Sequence, residues 1–86
     1  MKAMFDWDDL RIFLAVAEAG TTLGAARRLG LSQPTVVRRI AGLEQATRVA
    51  LFERRRTGYT LTVAGREILP LAEQVGRDLV PGITDR

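Results

Sequence analysis

The sequence predicts a mainly α-helical domain, in which a brace helix and a pair of short helices precede a small β-hairpin and a closing helix. Three observations favour this fold class. Apolar residues recur at helical spacing in separate stretches of the chain. Ser, Thr, Gly and Pro stand where such helices begin and end. Two short β-prone runs then flank a turn that contains glycine.

The first helix is predicted from Trp7 to about Ala19. Asp6 is expected to be its N-cap, with Asp9 in the capping-box position, and Gly20 is expected to close it. The apolar stripe consists of Leu10, Phe13, Leu14 and Ala17, widened by Ile12 and Val16. We therefore expect a brace that is buried on two sides. Trp7 either anchors the helix start or meets a partner chain.

The next stretch, TTLGAARRLGLSQPTVVRRIAGLEQAT, has the pattern of two helices joined by a tight turn. Thr21 or Thr22 can cap the first helix, and Gly30 can end it. Ser32 can cap the second helix, with Pro34 just inside it, where a missing backbone N–H costs nothing.

The second of these helices is predicted to have one core-facing side and one exposed side. Val36, Ile40 and Leu43 recur at core spacing. The opposite side carries Pro34, Arg38, Ala41 and Gln45, with Val37 flanking them. This is the pattern of a helix-turn-helix, whose second helix enters the major groove of DNA. The alternative is an ordinary antiparallel helix pair in a small bundle.

The charge around this motif favours a nucleic-acid partner. Nine arginines lie between Arg27 and Arg66, against only Glu44 and Glu53, while the rest of the chain is net acidic. The net charge of the 86 residues is only +3, but the pI is about 10.6 because twelve of the thirteen basic residues are arginine. A partner bearing phosphates fits this balance.

Composition also excludes several classes of function. The hydrophobic content of 47% and charged content of 27% are those of a single globular domain. The sequence holds no cysteine and no histidine, so we expect no disulfide, no metal or cofactor site and no enzyme. The sequence shows neither a signal peptide nor an apolar run of membrane-spanning length. We expect a cytoplasmic, nucleoid-associated protein that has no contact with membranes.

The hairpin, or wing, is predicted from Leu51–Arg54 and Tyr59–Thr62, around a turn that contains Thr57-Gly58. Phe52 and Leu61 are expected to face inward, because a hairpin of two strands must pack on the helices to be stable. Arginines crowd its tip and can reach a phosphate or the minor groove: Arg54, Arg55 and Arg56. The alternative is a solvated basic loop.

The last helix is predicted from Val63 toward Val80, with Thr62 as its cap, a bend at Pro70 and a stop at Pro81-Gly82. Its apolar residues have the spacing of a coiled-coil seam: Ile68, Ala72, Val75 and Leu79. Such a helix either packs back on its own core or pairs with a second copy. We favour pairing.

In its order of motifs the chain resembles the N-terminal DNA-binding domain of LysR-type transcriptional regulators, over roughly Leu10 to Val75. The most specific motifs are Ala25-Ala26, Leu29, Ser32-Gln33-Pro34, Leu43-Glu44, Leu51-Phe52-Glu53-Arg54, and Leu61-Thr62 with Ala64-Gly65. The resemblance implies a winged helix-turn-helix over residues 1–62 and a dimerising linker helix with a tail over residues 63–86.

Complete members of this family continue into a hinge and a larger effector-binding domain, and they often form tetramers. Neither part is present, so we expect a piece of a longer protein, with any small-molecule effector bound elsewhere. Four positions depart from the family pattern. Val37 stands where serine is usual, Thr47-Arg48 where Leu-Gly is usual, and Thr22 where an aromatic or apolar residue is usual.

The sequence-based hypothesis is a homodimeric, sequence-specific binder of double-stranded DNA. Arg38 suits guanine or a phosphate, Gln33 suits adenine, and Val37 suits a thymine methyl group. Arg39 is expected to pair with Glu44 or a phosphate. The full set of predicted DNA contacts is Thr21, Thr22, Ser32, Gln33, Pro34, Thr35, Val37, Arg38 and the three wing arginines. The alternative is a winged-helix module that binds a protein partner and no DNA.

Overall fold

The computed structural model describes residues 7–79, and side chains up to residue 76. Four helices and a two-stranded antiparallel sheet follow one another along the chain, which confirms the predicted fold class. They are α1 (Trp7–Ala19), α2 (Thr22–Leu29), α3 (Gln33–Thr47), β1 (Phe52–Arg55), β2 (Gly58–Leu61) and α4 (Val63–Leu79). The predicted cap Asp6 and the predicted stop at Pro81-Gly82 lie outside the described residues.

The core is built around α1, which contacts α2, α3, α4 and β2. Phe13 and Val16 are fully buried at its centre, so the prediction of a helix buried on two sides is confirmed. Val36 of α3 is buried in the same core, and the ring centroids of Phe52 and Phe13 are 5.3 Å apart. Helices and hairpin therefore share a single core, which fixes the wing relative to α3.

The helix-turn-helix begins and ends as the sequence predicts. Thr21 caps α2 by accepting the Gly24 N–H at 2.9 Å, and Gly30 ends it in the left-handed conformation at φ +71°. Ser32 caps α3 by accepting the Thr35 N–H at 3.3 Å. Local chemistry is sufficient for these boundaries, since each cap satisfies backbone groups within its own turn.

The hairpin differs from its prediction at the turn. Phe52 pairs with Leu61 and Arg55 with Gly58, which leaves Arg56-Thr57 as the two-residue loop. Gly58 is thus the first residue of β2 and not a turn residue. At φ +150° it approaches the α1–α2 corner so closely that a Cβ would lie 2.3 Å from the Gly20 carbonyl oxygen. The adjacent Tyr59 N–H donates to that same oxygen at 2.8 Å.

Helix α4 begins at the predicted cap, where Thr62 Oγ1 accepts the Gly65 N–H at 3.0 Å. The prediction that Ala72 lies in a seam between two copies is wrong, because its side chain is 1% exposed in the core of its own chain. Trp7 also packs inside the chain, against Gly76 of α4. Ile68 is half-buried against the core, and the Leu79 side chain lies outside the described residues.

Two large apolar residues in the second half of α4 are exposed. Leu71 and Val75 are exposed on the part of the helix that follows Pro70, beside the edge of the core. With Leu10, Ile68 and Ala72 they line a shallow apolar groove between α1 and α4. None of the described helices is long and apolar enough to cross a membrane.

Candidate nucleic-acid interface

The N-terminal half of α3 presents the predicted exposed face. Val36, on the opposite face, is buried, while Gln33, Pro34 and Arg38 are exposed. Val37 is half-buried and flanks this face, between solvent and core. The structure therefore brings most of the predicted contact residues of this helix onto one accessible surface.

The hydroxyl groups of Ser32 and Thr35, at the start of α3, are hydrogen-bonded to each other. Thr35 Oγ1 lies 2.8 Å from Ser32 Oγ, in addition to the backbone N–H that Ser32 accepts. These bonds order the first turn of the helix. The remaining backbone N–H groups there point along the axis toward the side from which an anion would approach.

Thr22 does not fit its predicted role as a direct side-chain contact. It is 4% exposed, and its hydroxyl accepts a hydrogen bond from Gln33 Nε2 at 2.9 Å. The first residue of α2 thus holds the first residue of α3. Thr22 lies underneath the surface that Gln33 presents.

Arg39 of α3 is paired with a carboxylate of another helix. The sequence-based pairing of Arg39 with Glu44 is wrong, because Arg39 donates to Asp9 of α1 at 3.2 Å. Glu44 instead accepts the backbone N–H groups of Leu51 and Phe52 at 2.8 and 3.1 Å. This carboxylate satisfies the first donors of the wing and joins it to α3, a role that the spacing of charges did not reveal.

Arg28 also pairs with a carboxylate, that of Glu18, at 3.1 Å on the exposed surface. Other arginines keep an unmatched positive charge. Within residues 7–76, the side chains of four exposed arginines form no ion pair, hydrogen bond or ring contact, unlike Arg54 and Arg66: Arg27, Arg38, Arg48 and Arg56. They lie on α2, on α3, at its C-terminal cap and on the wing. These four charges are available to a polyanion.

The three wing arginines do not project as one group. Arg54 lies over the Tyr59 ring, with 5.8 Å between its guanidinium carbon and the ring centroid. Arg55 donates to the Glu53 carboxylate and to the Thr60 hydroxyl. Arg56 lies in the turn with no such partner. The prediction of a uniform basic tip therefore applies best to Arg56.

Helix α3 ends in a strained conformation. Arg48 adopts φ +63° and ψ +25° at the C-cap, where its N–H donates to the Glu44 carbonyl at 2.8 Å. This left-handed conformation suits glycine and disfavours residues with a Cβ. The sequence indicated an unusual helix end, because glycine is missing at this position. The helix nevertheless ends in the left-handed conformation, with Arg48 in place of glycine.

A family model described as bacterial regulatory helix-turn-helix protein, lysR family, matches residues 7–66. The match spans α1 to the start of α4 and so includes the helix-turn-helix and the wing. The chain belongs to the LysR family. The resemblance inferred from the motifs is confirmed, and the family consists of regulators and not of enzymes.

Curated LysR-family relatives are similar over most of the chain. The transcriptional regulator ClcR of Pseudomonas putida is 47% identical over 70 residues, which is 81% of this chain and 24% of ClcR. The small neutral protease regulatory protein of Streptomyces coelicolor is 43% identical over the same length, 21% of that protein. The chain thus spans about a quarter of the length of such relatives.

Solved structures of LysR DNA-binding domains superpose closely on this domain. The CbnR DNA-binding domain in complex with DNA has a TM-score of 0.83 and 39% identity, covering 95% of this chain and 93% of that one. The BenM DNA-binding domain with the benA site 1 DNA has a TM-score of 0.85 and 26% identity, covering 93% of each chain. Helices and wing have the arrangement found in those domains.

Proposed function

We propose that this LysR-family domain binds double-stranded DNA in a sequence-specific manner, as part of a bacterial transcriptional regulator. The observation that carries the proposal is the exposed start of α3, where Gln33, Pro34 and Arg38 share one face beside arginines that have no carboxylate partner. An exposed helix of this kind fits the major groove. The complexes of the CbnR and BenM domains with DNA support the same reading.

Each exposed group on α3 has a distinct role in the proposed complex. Arg38 donates to guanine O6 and N7 or to a phosphate, and Gln33 makes a bidentate pair with adenine. Val37 contacts a thymine methyl group. The capped first turns at Thr21 and Ser32 place backbone N–H groups toward phosphates, which position the duplex and read no bases.

The wing supplies a second, non-specific contact. Arg56 extends from the two-residue turn toward a phosphate or the neighbouring minor groove, while Arg54 and Arg55 first have to leave their partners within the hairpin. Contacts of this type raise affinity for every duplex alike.

We also propose that the domain acts as a cytoplasmic homodimer, joined through the apolar groove between α1 and α4. Leu71 and Val75 are large apolar residues left exposed there, and a second copy would cover them. Two α3 helices then lie about 34 Å apart, or a multiple of that, on one face of the duplex. Effector binding and higher assembly belong to parts of a longer protein.

The decisive experiment is a titration of duplex DNA at several salt concentrations. Phosphate contacts release counterions, so affinity is expected to fall steeply between about 50 and about 200 mM salt. Arg38→Ala should weaken binding. The matched control is Arg11→Ala, which removes an arginine from α1 that pairs with Asp8 and should bind as the unmodified chain does. Weak affinity that does not change with salt would favour the protein-interaction alternative and reject the proposal.

A further inference from the structure

We propose that Thr22 is a positioning residue for base recognition, which holds the Gln33 amide in the orientation that reads adenine. This inference rests on the proposed binding of DNA and adds a residue that lies beneath the contact surface. Thr22 itself touches no base. It acts through Gln33.

The burial of Thr22 is the first observation. Among the described residues, Thr22 is the one buried polar side chain, at 4% exposure. A hydroxyl in an apolar environment is unfavourable unless it forms a hydrogen bond. The Thr22 hydroxyl accepts its hydrogen bond from Gln33 Nε2, on a different helix. The bond to Gln33 therefore accounts for the polar atom in the core.

The position of the two residues is the second observation. Thr22 is the first residue of α2 and Gln33 the first residue of α3, so the 2.9 Å bond joins the starts of both helices. Gln33 is exposed, but the end of its side chain that meets Thr22 lies in a partly buried contact. One side of the amide is anchored while the other faces solvent.

The chemistry of the anchored amide fits adenine. A glutamine amide has two N–H donors and one carbonyl acceptor, and Thr22 takes one donor. The second N–H and Oε1 remain, which are the groups that pair with adenine N7 and the N6 amino group. The bond to Thr22 restrains rotation of the Gln33 side chain. In this arrangement the amide presents to the base the donor and acceptor that adenine requires.

Isosteric substitution separates this role from packing. Thr22→Val keeps the shape and replaces the hydroxyl with a methyl group, which a buried site tolerates, while Thr22→Ser keeps the hydroxyl. The probe is a duplex selected from a random pool by the unmodified chain, with each base pair replaced in turn. Gln33→Ala identifies the pair that Gln33 reads. At that pair alone, Thr22→Val is expected to lower the preference by about two- to tenfold, the cost of ordering one free side chain.

Two further variants complete the test. Thr22→Ser should retain the preference, and Thr22→Val combined with Gln33→Ala should behave as Gln33→Ala alone, since Thr22 acts only through Gln33. A uniform loss of affinity on all duplexes, or an unchanged preference at the Gln33 pair, would overturn the positioning role while leaving DNA binding intact. Failure of the unmodified chain to enrich any duplex would instead reject the proposed function, and this inference with it.

A measurement without DNA covers the case in which Thr22→Val does not fold. The side-chain Nε2 group of Gln33 should show a higher NMR order parameter in the unmodified chain than those of Gln45 and Gln74, which are exposed on α3 and α4. Thr22→Ser should preserve that order. Equal mobility of the three side chains would show that Thr22 does not hold the amide.

Discussion

At the scale of single residues, two positions show how this domain differs from a generic helix-turn-helix. Arg48 ends α3 in a backbone conformation that glycine would adopt without strain, and Val37 places an apolar side chain at the edge of the exposed face. We expect the first to affect stability and the second to affect which bases are tolerated. Each can be tested by one substitution.

Replacing Arg48 with glycine is expected to raise the free energy of unfolding by about 0.5–1 kcal/mol. Relief of the left-handed conformation contributes about 1–2 kcal/mol, and the greater freedom of glycine in the unfolded chain offsets part of it. Urea denaturation of both proteins measures the difference. Arg48→Ala is the control for loss of the charge, because alanine keeps the strain and should give no gain.

Replacing Val37 with serine should raise affinity for duplexes that lack thymine at the contacted position. A base or phosphate acceptor left unpaired by valine costs about 1–3 kcal/mol, or about tenfold to a hundredfold in affinity. Where thymine is present, its methyl group meets valine and the substitution should change little. Titration of a matched pair of duplexes measures this. A lower melting temperature with an unchanged ranking of sites would show that Val37 only fills the core.

At the scale of elements, local signals predict where helices start. Tertiary contacts decide which side chains pair across elements and where two backbones approach each other. Caps at Thr21, Ser32 and Thr62 could be predicted because each satisfies donors within one turn. The partner of Arg39 could not be predicted, since Asp9 lies 30 residues away along the chain. The requirement for glycine at position 58 likewise comes from the nearby Gly20 carbonyl, which no local pattern reveals.

The wing gives a prediction at the same scale, based on the different surroundings of its arginines. Arg56→Ala should reduce the slope of log affinity against log salt by about one, the value for one lost phosphate contact. Arg55→Ala should reduce the slope by less, because Glu53 already neutralises that guanidinium. Salt titrations on a single duplex compare the two variants.

Glu53→Gln provides the matched test of that argument. The substitution leaves the length of the side chain unchanged and releases Arg55 from its carboxylate, so binding should strengthen and the salt slope should steepen. Identical slopes for Arg55→Ala and Arg56→Ala would mean that DNA separates the Glu53–Arg55 pair on binding.

At the scale of the whole molecule, α4 serves both the core and the proposed dimer. The sequence predicted that apolar residues recur along one side of α4. Periodicity alone cannot distinguish a side that packs on the core of its own chain from one that forms an interface between chains. Ala72 belongs to the core, whereas Leu71 and Val75 remain exposed, at 64% and 38%. The proposed interface is therefore narrower than the predicted seam, and it includes Leu71, which the seam did not.

Charged residues in this exposed part of α4 should produce monomers. Leu71→Glu with Val75→Glu places two carboxylates in the apolar groove, and light scattering should report half the mass of the unmodified chain. Val63→Glu is the control, since Val63 is 62% exposed at the other end of the same helix and should leave assembly unchanged. A monomeric unmodified chain at high concentration would reject the dimer.

The junction between Gly20 and Gly58 has a consequence for the DNA itself. The Gly20 carbonyl accepts the Tyr59 N–H, and the absence of a Cβ at Gly58 lets the two backbones meet, so the wing is held to the corner from which α2 starts. The distance between Arg56 and α3 is then a property of the protein that binding does not adjust. In the proposed complex we therefore expect the duplex, and not the wing, to adapt its shape to that distance. Base steps that bend easily would favour binding at positions that no side chain touches.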